Sequence, residues 1–124
     1  MTKEEYAAKA VMYKHSGCNC CQAVVKALTE NTDADGDKLN AIASGFGMGM
    51  GCMEATCGAL VGANIVLGLM GKGRCAKNLL ARFQELCGGT ICGELKGKYT
   101  GIVLASCDDC VKNAALAAAE ILDI

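Results

Sequence analysis

Ten cysteines in a chain of 124 residues constrain this protein more than any other feature. A domain of this length buries about two thirds of the surface its unfolded chain exposes, so it needs no crosslinks simply to fold. In a short secreted chain, so many cysteines would indicate a disulfide framework. The N-terminus Met1-Thr2-Lys3-Glu4-Glu5 reads instead as an acidic helix start, without the basic flank and apolar core of a signal peptide. We therefore expect a cytoplasmic protein. Thiols stay reduced there, and ten of them point to metal ligation or redox chemistry.

Composition narrows the fold. Apolar residues make up 52% of the chain but aromatic residues only 4%, with 16 Gly and no Pro. The interior must be built from Ala, Val, Leu, Ile, Met and Cys, which favours close helix–helix contacts. Net charge is −1, and Lys and Arg are scattered. With so few aromatics to stack bases, the sequence does not read as a nucleic-acid binder. The longest apolar stretch, 59–70, is broken by Asn64 and by glycines. It falls short of the roughly 20 apolar residues a membrane span requires.

Helical spacing predominates, and no strand-like alternation persists. We expect an all-α chain, one compact domain over 1–124, with five to six helices and Gly-rich connectors. The pattern predicts helices over 2–15, 19–31, 38–44, 54–70, 74–86 and 106–122. Thr2 and Glu5, and again Ser106 and Asp109, have capping-box spacing. Leu79, Phe83 and Leu86 should face the core. Residues 45–52 carry Gly at every second position, which suits neither helix nor strand. They are expected to form an extended or irregular loop near a ligand. Residues 87–105 are broken by Gly and carry no clear period. One internal echo is present: Cys52 to Leu60 and Cys87 to Leu95 both read C-x4-C-G-x-L.

The cysteines fall into groups at 18, 20 and 21; at 52 and 57; at 75; at 87 and 92; and at 107 and 110. Four groups from separate parts of the chain could converge into a thiolate site, suited to an iron–sulfur cluster or to zinc. Cys20, Cys21, Cys57, Cys107 and Cys110 lie at or near predicted helix starts, where partial positive charge favours the thiolate. Cys75 shares a face with Leu79 and reads as a core residue. The Cys107-x-x-Cys110 spacing also suits thiol–disulfide exchange, but lacks the usual preceding strand. Met48, Met50 and Met53 could ligate copper, although gap-filling is their commoner use. His15 at a helix end is ordinary. No Cys-x-x-Cys-His supports covalent haem attachment.

Four blocks carry a wider resemblance. Cys57-Gly58-Ala59-Leu60-Val61-Gly62 matches a C-G-A-x-x-G motif. Asn19-Cys20-Cys21-Gln22-Ala23-Val24 is similar to N-C-A-Q-A-V, with Cys21 in place of Ala. Cys92-Gly93-Glu94-Leu95 and Cys110-Val111-Lys112-Asn113 follow in order. Together they make the chain resemble the C_GCAxxG_C_C family of redox proteins, from about Gly17 to Leu122. The resemblance implies a helical domain similar to that of split-Soret cytochromes c, an iron–sulfur cluster (2Fe-2S or 4Fe-4S), a redox partner protein and a homodimer. It carries the ligand role onto Cys20, Cys57, Cys92 and Cys110. Of the six further cysteines, Cys18, Cys21, Cys52, Cys87 and Cys107 could add ligands for a larger or second cluster. The expected function is electron transfer rather than turnover of an organic substrate. The alternatives are a metal-free thiol–disulfide protein or sensor, and a zinc or copper binding module.

Overall fold

Side-chain caps define where several helices begin. In the computed structural model, which describes residues 1–124, α1 (Lys3–His15) starts with a complete capping box. Thr2 Oγ1 accepts the Glu5 N–H, and Glu5 Oε1 accepts the Thr2 N–H. The second helix, α2 (Cys20–Thr29), starts the same way, with Asn19 and Gln22 exchanging hydrogen bonds of 2.9 and 3.0 Å. Each such cap stabilises its helix by about 1 kcal/mol. Asp35 caps α3 (Gly36–Ala43), which therefore starts two residues before the expected Lys38. The remaining helices are α4 (Gly58–Leu69), α5 (Ala76–Cys87), α6 (Cys92–Leu95) and α7 (Cys107–Leu122). Ser106 Oγ accepts the Asp109 N–H at the start of α7.

The expected all-helical fold is present, and its six longer helices match the six sequence segments. Three details differ. The helix expected from Glu54 begins only at Gly58. Residues 54 and 55 bend instead, and Thr56 forms an isolated antiparallel bridge with Ile91. Residues 45–52 are irregular but not extended. Gly49–Met53 make a single wide turn, with Met48, Met50 and Met53 all at positive φ. The unassigned 87–105 stretch contains the short α6.

The centre of the molecule is α7. Its Ala114, Ala115, Ala117, Ala118 and Ala119 are all fully buried, and it touches α1, α2, α4 and α5. Alanine keeps these helices close, as the composition suggested. Between α2 and α4 the approach is tighter still: a Cβ on Gly62 would lie 2.7 Å from the Cys21 carbonyl oxygen. Leu79 and Phe83 of α5 are buried in the same core, while Leu86 packs at its edge. No helix is long and apolar enough to cross a membrane.

Candidate functional site

The N-terminal ends of α2, α4, α6 and α7 meet around one cavity of about 150 Å³. Cys20 is the first residue of α2, Cys57 the N-cap of α4, Cys92 the first residue of α6, and Cys107 and Cys110 lie in the first turn of α7. All five line the cavity, with Met48, Met53, Gly58 and Lys96. Cys57, Cys92 and Cys110 are buried, while Cys20 and Cys107 are half-buried and Met48 is exposed.

Local sequence explains how each sulfur is placed. The Asn19–Gln22 box sets the start of α2, and so Cys20. Asn19 Nδ2 also donates to the Ser44 carbonyl and Gln22 Nε2 to the Asn40 carbonyl, which ties this helix end to α3 and its exit. The Asn and Gln of the N-C-x-Q block thus position the cysteine between them. Cys57 and Cys92 are held together through the bridge: the Cys57 N–H donates to the Thr90 carbonyl (2.8 Å) and the Cys92 N–H to the Ala55 carbonyl (3.0 Å). The two halves of the sequence echo are therefore paired antiparallel, each delivering its second cysteine to a helix start. Gly58 is required for closeness: a Cβ there would lie 2.5 Å from the Phe46 carbonyl oxygen and 2.6 Å from Cys20 Sγ.

The sulfurs sit in a mixed electrostatic setting. Burial pushes the Cys20 thiol up in pKa, against the backbone N–H of left-handed Met48, which faces its sulfur. The neighbouring Cys110 and burial both push Cys57 up. The Ala59 and Leu60 N–H groups face its sulfur and oppose that shift, without closing a cap bond to it. Burial raises Cys92 as well. Cys110 is lowered by Cys57, but Cys87 and burial outweigh this and leave it at about 11. Lys96 Nζ donates to Cys110 Sγ (3.2 Å) and to the Ala105 carbonyl (3.4 Å). Burial lowers the Lys96 pKa, but the Cys110 sulfur and its neighbours raise it by more.

The cysteines outside the cavity divide by environment. Cys87, the last residue of α5, is buried beside Cys110 and takes a hydrogen bond from Asn113 Nδ2 (3.4 Å). Contact with Cys110 lowers its pKa. Cys21 points into the core, where burial pushes it up to about 12. Cys75 is half-buried against the core, as expected of a packing residue. Cys52 is exposed. Cys18 lines a larger groove of about 410 Å³ between α2 and α3, among polar and charged side chains including Gln22, Lys26, Glu30 and Asp37. That groove holds no second cysteine. His15 pairs with Asp108 (2.8 Å), away from the cavity lining.

All ten cysteines are free thiols. No group of three Cys, His, Asp or Glu side chains is arranged to hold a single metal ion. Five cysteines line the shared cavity. A donor set of thiol sulfurs, with no carboxylate among the lining groups, fits the soft-ligand preference of an iron–sulfur cluster.

Sequence reasoning did not find Lys96, the Met48 N–H or the role of Asn19 and Gln22. The Asn-x-x-Gln spacing is a readable cap signal. Nothing local to Lys96 marks it, since its partner sulfur lies 14 positions away.

A family model described as "Putative redox-active protein (C_GCAxxG_C_C)" matches residues 18–121. No curated protein and no solved structure matches the chain.

Proposed function

The chain belongs to the C_GCAxxG_C_C family of redox-active proteins, and from that premise we propose that it is an electron-transfer protein whose sulfur cavity holds an iron–sulfur cluster through Cys20, Cys57, Cys92 and Cys110. The supporting observation is the convergence of these four cysteines, from four helix starts, on one cavity. When bound, the cluster would supply one-electron chemistry. The chain's own residues prepare the place for it. Partial positive charge at the starts of α2, α4 and α7 favours sulfur anions. The Met48 backbone N–H opposes the burial-driven rise of the Cys20 pKa, and backbone N–H groups near ligand sulfurs help set potentials. Cys57, Cys92 and Cys110 are buried and Met53 half-buried, so most of the lining is poorly solvated.

The test is reconstitution of oxygen-free protein with iron and sulfide, followed by metal and sulfide analysis and electron paramagnetic resonance. A loaded protein should be coloured, with iron and acid-labile sulfide in equal amounts. Colourless, iron-free protein after that treatment would exclude the reading. The contacts of Cys110 with both Cys57 and Cys87 favour one second reading, a thiol–disulfide protein. It requires a reversible two-electron titration of metal-free protein, with two fewer free thiols in the oxidised form. A zinc or copper site would use the same sulfurs, and metal analysis of the loaded protein separates it from the cluster. Localisation in the cytoplasm, a redox partner and a homodimer remain part of this proposal, checked by fractionation, pull-down and sedimentation.

A further inference from the structure

Lys96 is the single charged side chain lining the sulfur cavity. It forms no ion pair with any carboxylate, whereas Lys98 two residues on pairs with Glu54. A half-buried ammonium without a carboxylate partner is costly unless something else compensates its charge. Its hydrogen-bond partners are Cys110 Sγ and the Ala105 carbonyl oxygen. The Ala105 carbonyl is neutral, and Cys110 Sγ is the one protein partner that can carry a negative charge.

We propose that Lys96 is the fixed counter-charge of the cavity, holding the sulfur-bound group in place and setting its reduction potential. The inference rests on the iron–sulfur reading above. Four thiolates concentrate negative charge in a poorly solvated space, and each electron accepted adds one more. A positive charge lining the same cavity stabilises the reduced form more than the oxidised form, and by more than it would in water. Donation from Nζ to a ligand sulfur acts in the same direction. The backbone also specifies where the ammonium is. Lys96 follows directly after α6, whose first residue is Cys92, so the helix that delivers one ligand delivers the counter-charge at its other end.

A purely structural role would make Lys96 a tie between α6 and Ala105. The two roles separate by substitution. Lys96→Met keeps most of the stem and removes the charge, Lys96→Gln keeps a donor for Ala105 without charge, and Lys96→Arg keeps the charge. All are reconstituted anaerobically and titrated potentiometrically with visible and electron paramagnetic resonance detection. We expect both neutral variants to shift to more negative potential and Lys96→Arg to stay close to wild type. Under a ferrous chelator, the neutral variants should bleach about tenfold faster, the lower range for loss of a group supporting metal ligands. Should Lys96→Met fail to fold, Lys96→Gln carries the comparison. Loaded neutral variants at the wild-type potential would overturn the inference while leaving the cluster reading intact. Wild-type protein that takes up no iron would overturn both.

Discussion

The two C-x4-C-G-x-L stretches begin alike and end differently. In each, the second cysteine starts a helix and lines the cavity, and the following leucine, Leu60 or Leu95, is buried. The first cysteines diverge. Cys52 is exposed on an irregular turn, while Cys87 is buried behind Cys110 at the end of a regular helix. The helices diverge too: α4 runs for 12 residues and α6 for 4. After Leu60 the chain continues Val-Gly-Ala-Asn-Ile-Val, which supports an apolar helix. After Leu95 it continues Lys-Gly, and Gly97 takes a positive φ that ends the turn. The shared pattern thus specifies the start of a helix and one sulfur, and the flanking residues specify everything else.

Substitutions in the two stretches test how far they differ. The largest difference should come from serine substitution of the paired cysteines, read as iron bound per chain after reconstitution. Cys57→Ser and Cys92→Ser should each lose most of the cluster, and Cys52→Ser should keep it. Equal loss in Cys52→Ser would mean that the two halves of the echo are not distinguished by the cavity. Next in size is the glycine after each second cysteine. Gly58→Ala drives a Cβ against the Phe46 carbonyl and Cys20 Sγ and should cost about 1–3 kcal/mol in urea unfolding. In Gly93→Ala the Cβ meets the Met53 carbonyl at 2.7 Å and an exposed Tyr99 ring at 2.8 Å. The ring can swing away, which leaves one backbone clash at 2.7 Å, whereas Gly58 meets a closer carbonyl at 2.5 Å, the Cys20 sulfur and the Gly47 backbone, so the cost should be somewhat smaller. A Gly93→Ala variant less stable than Gly58→Ala would reverse this ranking.

The first cysteines supply a further test in metal-free protein. Cys87→Ala opens space beside Cys110 and strands the Asn113 amide, for a loss of about 1–2 kcal/mol. Cys52→Ala should stay within about 0.5 kcal/mol of wild type. Comparable losses would show that exposure does not separate the two positions. The smallest effect concerns the surface contacts that join the halves. Glu54 pairs with Lys98 and accepts a hydrogen bond from the Tyr99 hydroxyl, and both hold its pKa below the usual glutamate value. A depressed folded-state pKa contributes stability above the unfolded value that is lost as pH falls through the folded one. Melting temperature should therefore decline on acidification, slightly less steeply in Glu54→Gln than in wild type. Identical slopes would remove this pair from the account.

Much of the scaffold was legible locally. The Thr2–Glu5 box, the Ser106 cap and the spacing of Leu79 and Phe83 act within one or two helical turns, so adjacent residues reveal them. The start of α4 was misplaced by four residues because its cause is remote: Thr56 is bridged to Ile91. The same distance hid α6, four residues whose start depends on the Ala55 carbonyl. At the site, the family motif pointed to Cys20, Cys57, Cys92 and Cys110, all of which line the cavity. Of the five further candidates, Cys107 lines it and Cys87 adjoins it, whereas Cys18, Cys21 and Cys52 lie elsewhere. Cys21 is adjacent to Cys20, yet a helix turns neighbouring side chains about 100° apart, and that rotation takes it into the core.

Local sequence is enough to specify an all-helical chain with closely packed small residues and sulfur chemistry at helix starts. These depend on composition, period and capping, which act over a few residues. Which sulfurs share a cavity, the antiparallel pairing of the echoed segments and the lysine against Cys110 emerge only when the helices pack. Each of those depends on how separate helices pack, and packing is set by surfaces that no single stretch of the chain contains.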